Sequence, residues 1–171
     1  MLLRNTGRGF VDASERLGEI SSKPMAGRGL AVGDLDNDGL MDAVISTNDG
    51  RAYVLHNETK IRHHWITLQL VGTKSNRDGI GAEVRLKTAQ GLQAETVTTG
   101  GSYQSSSDKR VHFGLGNEEK VESIEIRWPS GMQETLHPPA VDRFYMVTEG
   151  KGITSVSCGN RVCGATRQRL N

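Results

Sequence analysis

The chain is poor in most of the things that give a protein away at sight. Aromatic residues make up 5% of its 171 positions, there are 4 prolines and 2 cysteines, and positive and negative side chains nearly cancel at a formal net charge of +1. A near-neutral balance supplies no global field towards nucleic acid or membrane. No apolar run approaches the roughly 20 residues of a spanning helix. The opening "MLLRNTGRGF" has neither an apolar core nor a small-residue cleavage site, so it does not read as a signal peptide; it reads as a chain joined in mid-course. Two thiols are too few for a structural zinc site, and the spacing in "CGNRVCG" is not that of a redox pair.

What the chain has instead is glycine, 21 residues of it, punctuating short β-branched runs. That profile predicts an all-β protein of many short strands and argues against a helical bundle. Three zones follow: residues 1–58, 59–150 and a polar, basic tail over 151–171. In the first zone, "GLAVGD" and "DAVIST" flank an acidic loop, and the Asp-Gly of "NDG" signals a hairpin into "RAYVLHN". In the second, "HWITLQLVG" alternates, with Trp65, Thr67 and Gln69 opposed to Ile66, Leu68 and Leu70. "GAEVRLKT", "LQAETVTT", "RVHFGLG", "VESIEIRW", "QETLH" and "RFYMVTEG" follow at short spacing, which predicts a sandwich of about seven strands. "NEEKVESI" has room for one helical turn, and the tail reads as solvated chain.

The acidic loop is the densest chemical signal. In "GDLDNDGLMD", carboxylates fall at loop positions 1, 3, 5 and 9 (Asp34, Asp36, Asp38, Asp42), with Gly39 at 6 and Leu40 at 7. Calcium takes six to eight oxygens and tolerates irregular geometry. Alternate side chains of a tight loop can converge on one centre, glycine permits the bend, and the Leu40 carbonyl can complete the shell. The predicted metal ligands are therefore Asp34, Asp36, Asp38, Leu40 and Asp42, and the predicted cofactor is Ca2+. An EF-hand would need a glutamate at position 12, where Ile45 stands, and helices on both flanks. Four carboxylates and a carbonyl leave little open coordination for catalysis, so the ion is expected to act as a structural staple.

Strands around a DxDxDGxxD loop resemble the FG-GAP/VCBS repeat, a blade motif of β-propellers. "LLRNTGRGFVDAS" is similar to the end of one repeat, and "GRGLAVGDLDNDGLMDAVISTNDGRAYVLHN" to the next. "SNRDGIGAEVRLKTAQG", "GGSYQSSSDKRVHFGLG" and "VESIEIRWPSGMQETL" resemble the ASPIC/UnbV domain, which follows such repeats in the cartilage acidic protein family and its bacterial relatives. The resemblance implies an incomplete propeller blade packed next to the sandwich, an extracellular, periplasmic or cell-surface home, and further propeller repeats upstream in a parent chain. It carries over no catalytic residue. An oxidising home would favour a local disulfide between Cys158 and Cys163.

Other candidates are weaker. None of His56, His63, His64, His112 and His137 has a tight ligand spacing. "GGSYQSSSD" lacks a nucleophile elbow and reads as a mobile polar loop in which Tyr103 and Gln104 could contact a protein or glycan. Asp78 could be a weak second cation ligand, and "NET" at Asn57 is a glycosylation sequon. The leading expectation is a non-catalytic, extracytoplasmic calcium-binding interaction or adhesion module with no nucleic-acid partner. The alternative is an accessory or carbohydrate-binding domain of a larger secreted enzyme, for which Trp65, Tyr103 and Trp128 are the stacking candidates.

Overall fold

A computed structural model describes residues 2–60 and 63–158. The protein is all-β, in several sheets, none of which closes on itself. The first part holds a hairpin of β1 (Leu3–Asn5) and β2 (Phe10–Asp12), a 3-10 segment over Ser14–Ser22, and a three-stranded antiparallel sheet. Its strands are β3 (Gly27–Gly33), β4 (Asp42–Thr47) and β5 (Tyr53–Leu55). Asp49 takes a positive φ of 58° in the turn from β4 to β5, as the Asn-Asp-Gly signal requires.

The second part is built on β6 (His64–Val71), β7 (Glu83–Thr88), β8 (Gly91–Thr96), β9 (Val111–Gly116), β10 (Ser123–Arg127), β11 (Gln133–Leu136), β12 (Arg143–Thr148) and β13 (Gly152–Cys158). They form two four-stranded sheets, ordered β13-β12-β6-β9 and β11-β10-β7-β8. Between the sheets lies one core, with Ile66, Leu68 and Leu70 of β6 meeting Val84, Leu86, Ile124 and Ile126. The strict alternation along β7, β9 and β10 follows from one buried and one solvated face.

One feature lies beyond the sequence reading and two depart from it. β12 lies parallel to β6, Tyr145 opposite Leu68, in an otherwise antiparallel sheet. The chain continues past 150 into β13, an edge strand with mostly exposed side chains; its weak apolar alternation hid it in the polar tail. Residues 118–122 are irregular, with no helical turn.

The parallel pair is fixed at both ends. At its start Asp142, at φ 57°, accepts from the Trp65 amide at 3.1 Å and from His64 Nδ1 at 2.8 Å. At its far end Glu149 is buried at 1% exposure, and Oε2 accepts from the amides of Thr73, Lys74 and Ser75 at 2.7, 2.7 and 2.8 Å. Oε1 accepts from Ser75 Oγ at 2.9 Å and from Ser130 Oγ. Burial pushes this carboxyl up, but Ser130 and the three amides outweigh it and hold the group at about 2.

A folded-state value below the unfolded one of 4.5 contributes stability that is present above pH 4.5 and lost as pH falls towards 2. Glu149→Gln is therefore expected to cost about 2 kcal/mol at neutral pH, the scale of hydrogen bonds to a charged group. It should also flatten the loss of stability between pH 4.5 and 2, read by urea unfolding across that range. An equal acid slope in both proteins would remove Glu149 from the account.

Candidate metal centre

The loop between β3 and β4 is curled by left-handed backbone at Asn37 (φ 59°) and Gly39 (φ 88°). The curl turns Asp34 inward at 4% exposure, where Oδ1 accepts from the Asp38 amide at 3.0 Å and Oδ2 from the Gly39 amide at 2.8 Å. Asp38 Oδ1 in turn accepts from the Leu40 amide at 2.8 Å. Asp34, Asp36 and Asp38 each offer an oxygen within 4.8 Å of the others, so these three could hold a metal ion. An all-carboxylate set is hard-donor chemistry of the kind calcium takes. Burial pushes the Asp34 carboxyl up, the two amides hold it down, and the Asp38 charge adds to the rise.

Asp42 is placed differently. Its Oδ2 accepts from the Leu35 amide at 3.0 Å, and its Oδ1 accepts from the Asn57 amide at 2.8 Å and lies 3.1 Å from His56 Nδ1. It groups with Asp36 and His56 instead of with the Asp34 set. For Leu40 the structure shows the amide engaged with Asp38. His56 and Asn57 were not legible as members of the site, because they return to it only after β5. Asn57 Nδ2 donates to the Met41 carbonyl at 3.2 Å, so the sequon asparagine helps pin the end of the loop. Strands flank the loop on both sides, which excludes an EF-hand.

The loop is seated on the outer face of the sandwich. Trp65 is 4% exposed although its side chain points away from the core, and a Cβ added at Gly39 would lie 2.1 Å from its Nε1. The indole stacks on His112 (5.9 Å, 19°) and meets Phe144 at 4.8 Å. Arg110 completes the junction: Nη1 donates to Asn37 Oδ1 at 2.6 Å, Nη2 to the Asp34 carbonyl at 2.7 Å, and Nε to Asp108 at 2.6 Å. Its guanidinium lies 5.2 Å from the Phe144 ring centre. Burial, with Arg110 beside it, pushes His112 down to about 4, so that imidazole is neutral at physiological pH.

The polar loop of "GGSYQSSSD" runs along the free edge of β3. Ser102 and Ser107 hydroxyls accept from the amides of Leu30 (3.2 Å) and Val32 (3.1 Å), and the Asp108 amide donates to the Val32 carbonyl at 2.9 Å. Gly29 leaves room for this approach; a Cβ there would fall 2.3 Å from Ser105 Oγ. The serines thus satisfy an otherwise open strand edge. Tyr103 is turned to the same junction, with Arg28 4.5 Å above its ring and bonded to its hydroxyl at 3.3 Å, while Gln104 supplies a left-handed turn at φ 45°.

The remaining candidates are scattered. His63 lies beside Asn117 (3.2 Å) and His137 beside the Glu122 carbonyl (2.8 Å). Among the described residues neither joins a metal-capable group, nor do His64 and His112. Asp78 pairs with Lys109. Cys158 ends β13, and its expected partner Cys163 lies outside the described residues.

Gly39→Ala is expected to drive a methyl into the indole and to strain a positive φ, costing about 1–3 kcal/mol. Thermal melting checks the cost, and a red shift of tryptophan emission should report Trp65 losing its cover. An unshifted spectrum with unchanged melting would mean that the loop does not sit on Trp65.

Residues 72–154 match the family model described as ASPIC and UnbV. Cartilage acidic protein 1 of Xenopus tropicalis is 30% identical over 118 residues, which cover 67% of this chain and 18% of that relative. The human protein of the same name is 29% identical over 109 residues, covering 61% of the chain and 16% of its own length, and the mouse protein is also 29% identical, with 17% of its length covered. The chain therefore spans less than a fifth of each of these relatives. The matched stretch takes in β7 to β12 with the Glu149 clamp, so most of the sandwich, without β6, is the part of this chain that is similar to the ASPIC and UnbV family.

Proposed function

We propose that the chain is a non-catalytic, extracytoplasmic interaction module in which a calcium ion held by the acidic loop fastens a propeller-type repeat to an ASPIC/UnbV sandwich. The observation that carries this reading is the seating of the loop: the backbone that curls Asp34, Asp36 and Asp38 together is the backbone that covers Trp65 and is gripped by Arg110. An ion that holds three carboxylates together stabilises the curl, and through the curl the junction. The Leu40 carbonyl and Asp42 are the further ligands this reading assigns, Asp42 directly or through water.

The repeat identity is supported by the strand–acidic loop–strand order and by what the three-stranded sheet leaves open. Leu30 and Val32 on one face and Val54 on the other are 44%, 40% and 62% exposed. Neighbouring blades of a parent chain would cover such faces. The extracytoplasmic assignment draws on the likeness to cartilage acidic protein 1, and it goes with a Cys158–Cys163 bridge. Of the carbohydrate-binding alternative's platforms, Trp65 and Trp128 are buried at 4% and 1%, while Tyr103 is 53% exposed with Arg28 over its ring.

Differential scanning calorimetry of metal-free protein, with and without calcium, tests the staple. Calcium at 100 times its dissociation constant is expected to stabilise the fold by about 2.7 kcal/mol. Asp36→Ala should abolish that gain while melting no lower than wild type in chelator, since the substitution removes a like charge from the cluster. A melting temperature indifferent to millimolar calcium would overturn the staple.

A further inference from the structure

The outer face of the β11-β10-β7-β8 sheet carries a charge pattern that neither the acidic loop nor the core explains. Val84, Leu86, Ile124 and Ile126 point into the core, so the alternate residues Glu83, Arg85, Glu125 and Arg127 share the opposite face. In the register of β7 and β10, Arg85 lies opposite Glu125 and Glu83 opposite Arg127. The four stand at the corners of a rectangle of about 5 by 7 Å, with like charges on the diagonals. Unlike charges directly across two strands stabilise a sheet when they pair. Among the described residues, however, none of these four side chains makes an ion pair or a hydrogen bond. Arg85, Glu125 and Arg127 are exposed and Glu83 is half-buried, and together they line a shallow depression of about 350 Å³.

A chequerboard of this kind is complementary to itself. Laid face to face about a two-fold axis along the strands, two copies bring Glu83 over Arg127 of the second copy and Arg85 over its Glu125. An axis across the strands sets Glu83 over Arg85 and Glu125 over Arg127, again unlike on unlike. A face of one sign would repel its own copy, and a partner of one sign would meet like charge at half of the corners. The flanking strands offer no obstacle. Thr96 and Ala94 of β8 and Gln133 and Thr135 of β11 continue the same two rows with uncharged side chains. About the first axis Thr96 meets Gln133, and Ala94 meets Thr135.

We infer that this face is an isologous contact between two copies of the chain, held by reciprocal carboxylate–guanidinium pairs. Strands of four to six residues, set about 4.8 Å apart, give a face roughly 20 Å square. Two such faces bury on the order of 1,000 Å², the class of weak and transient contacts. The expected assembly is therefore a reversible, salt-sensitive dimer. It uses the sandwich alone and stands whether or not calcium occupies the loop.

Sedimentation equilibrium of the tag-free chain, from about 10 μM to about 1 mM, reads the association. The wild type should dimerise reversibly. Its dissociation constant should rise at least tenfold between about 0.1 M and about 1 M sodium chloride, where the screening length falls from ~10 Å to ~3 Å. Arg85→Glu with Arg127→Glu makes the patch wholly acidic, and Glu83→Arg with Glu125→Arg makes it wholly basic. Each variant alone should stay monomeric, and an equimolar mixture should pair one to one. Arg4→Glu with Arg8→Glu changes the net charge as much as the acidic variant does, but on the β1–β2 hairpin, and should dimerise like the wild type. Dilution of the wild type should move the amide resonances of Arg85 and Glu125 most, which reads the face without any substitution. A wild type that is monomeric throughout, a dimer that survives either charge inversion, or resonance shifts that leave β7 and β10 unmoved would overturn the contact.

Discussion

The structure turns on one close approach, that of the Gly39 backbone to the Trp65 indole. Strand β6 is covered on both faces, by the sandwich core on one side and by the acidic loop on the other. The second cover exists only because position 39 has no side chain and takes a positive φ. The same curl aims three carboxylates at one region and places the Asp34 carbonyl and the Asn37 side chain where Arg110 reaches them. Loop conformation, charge clustering and junction contact are therefore one geometric fact.

This coupling matters because little else joins the two parts. Among the described residues, the buried core draws on those from 66 onward, and none before Ile66 enters it. Among the described residues, the junction includes one covered indole, a guanidinium fan, serine hydroxyls and a backbone bond on the β3 edge, and an arginine over Tyr103. Interfaces of this polar character carry modest energy and leave relative motion as the default. An ion that locks the loop would act on the weakest link of the molecule, where a few kilocalories decide whether the parts move together.

Local patterns were readable and long-range ones were not. The alternation over Trp65–Leu70, Val84–Leu86 and Val111–Leu115 marks its strands because burial on one face leaves a period of two. The turn signal at Asp49 worked for the same local reason. The parallel pairing of β6 with β12 left no trace, since the whole second sheet lies between them in sequence. Glu149 looked like any acidic residue at a strand end; its burial depends on the amides of Thr73, Lys74 and Ser75, over 70 positions earlier. The acidic loop was visible as a spacing, but its neighbours His56, Asn57, Trp65 and Arg110 were not, because they arrive from three other places. The serines of the 102–107 loop read as mobile and polar, whereas they cap a strand edge, a role only the partner strand reveals.

The central claim is that the loop's ion and the junction are coupled, and residue-resolved hydrogen exchange tests it most directly. Amides of Val32 and Gly39 and the Trp65 indole N–H should exchange faster in chelator than in saturating calcium, while core amides such as those of Val84 and Ile126 keep their protection. Equal protection of the junction in both conditions would contradict the account.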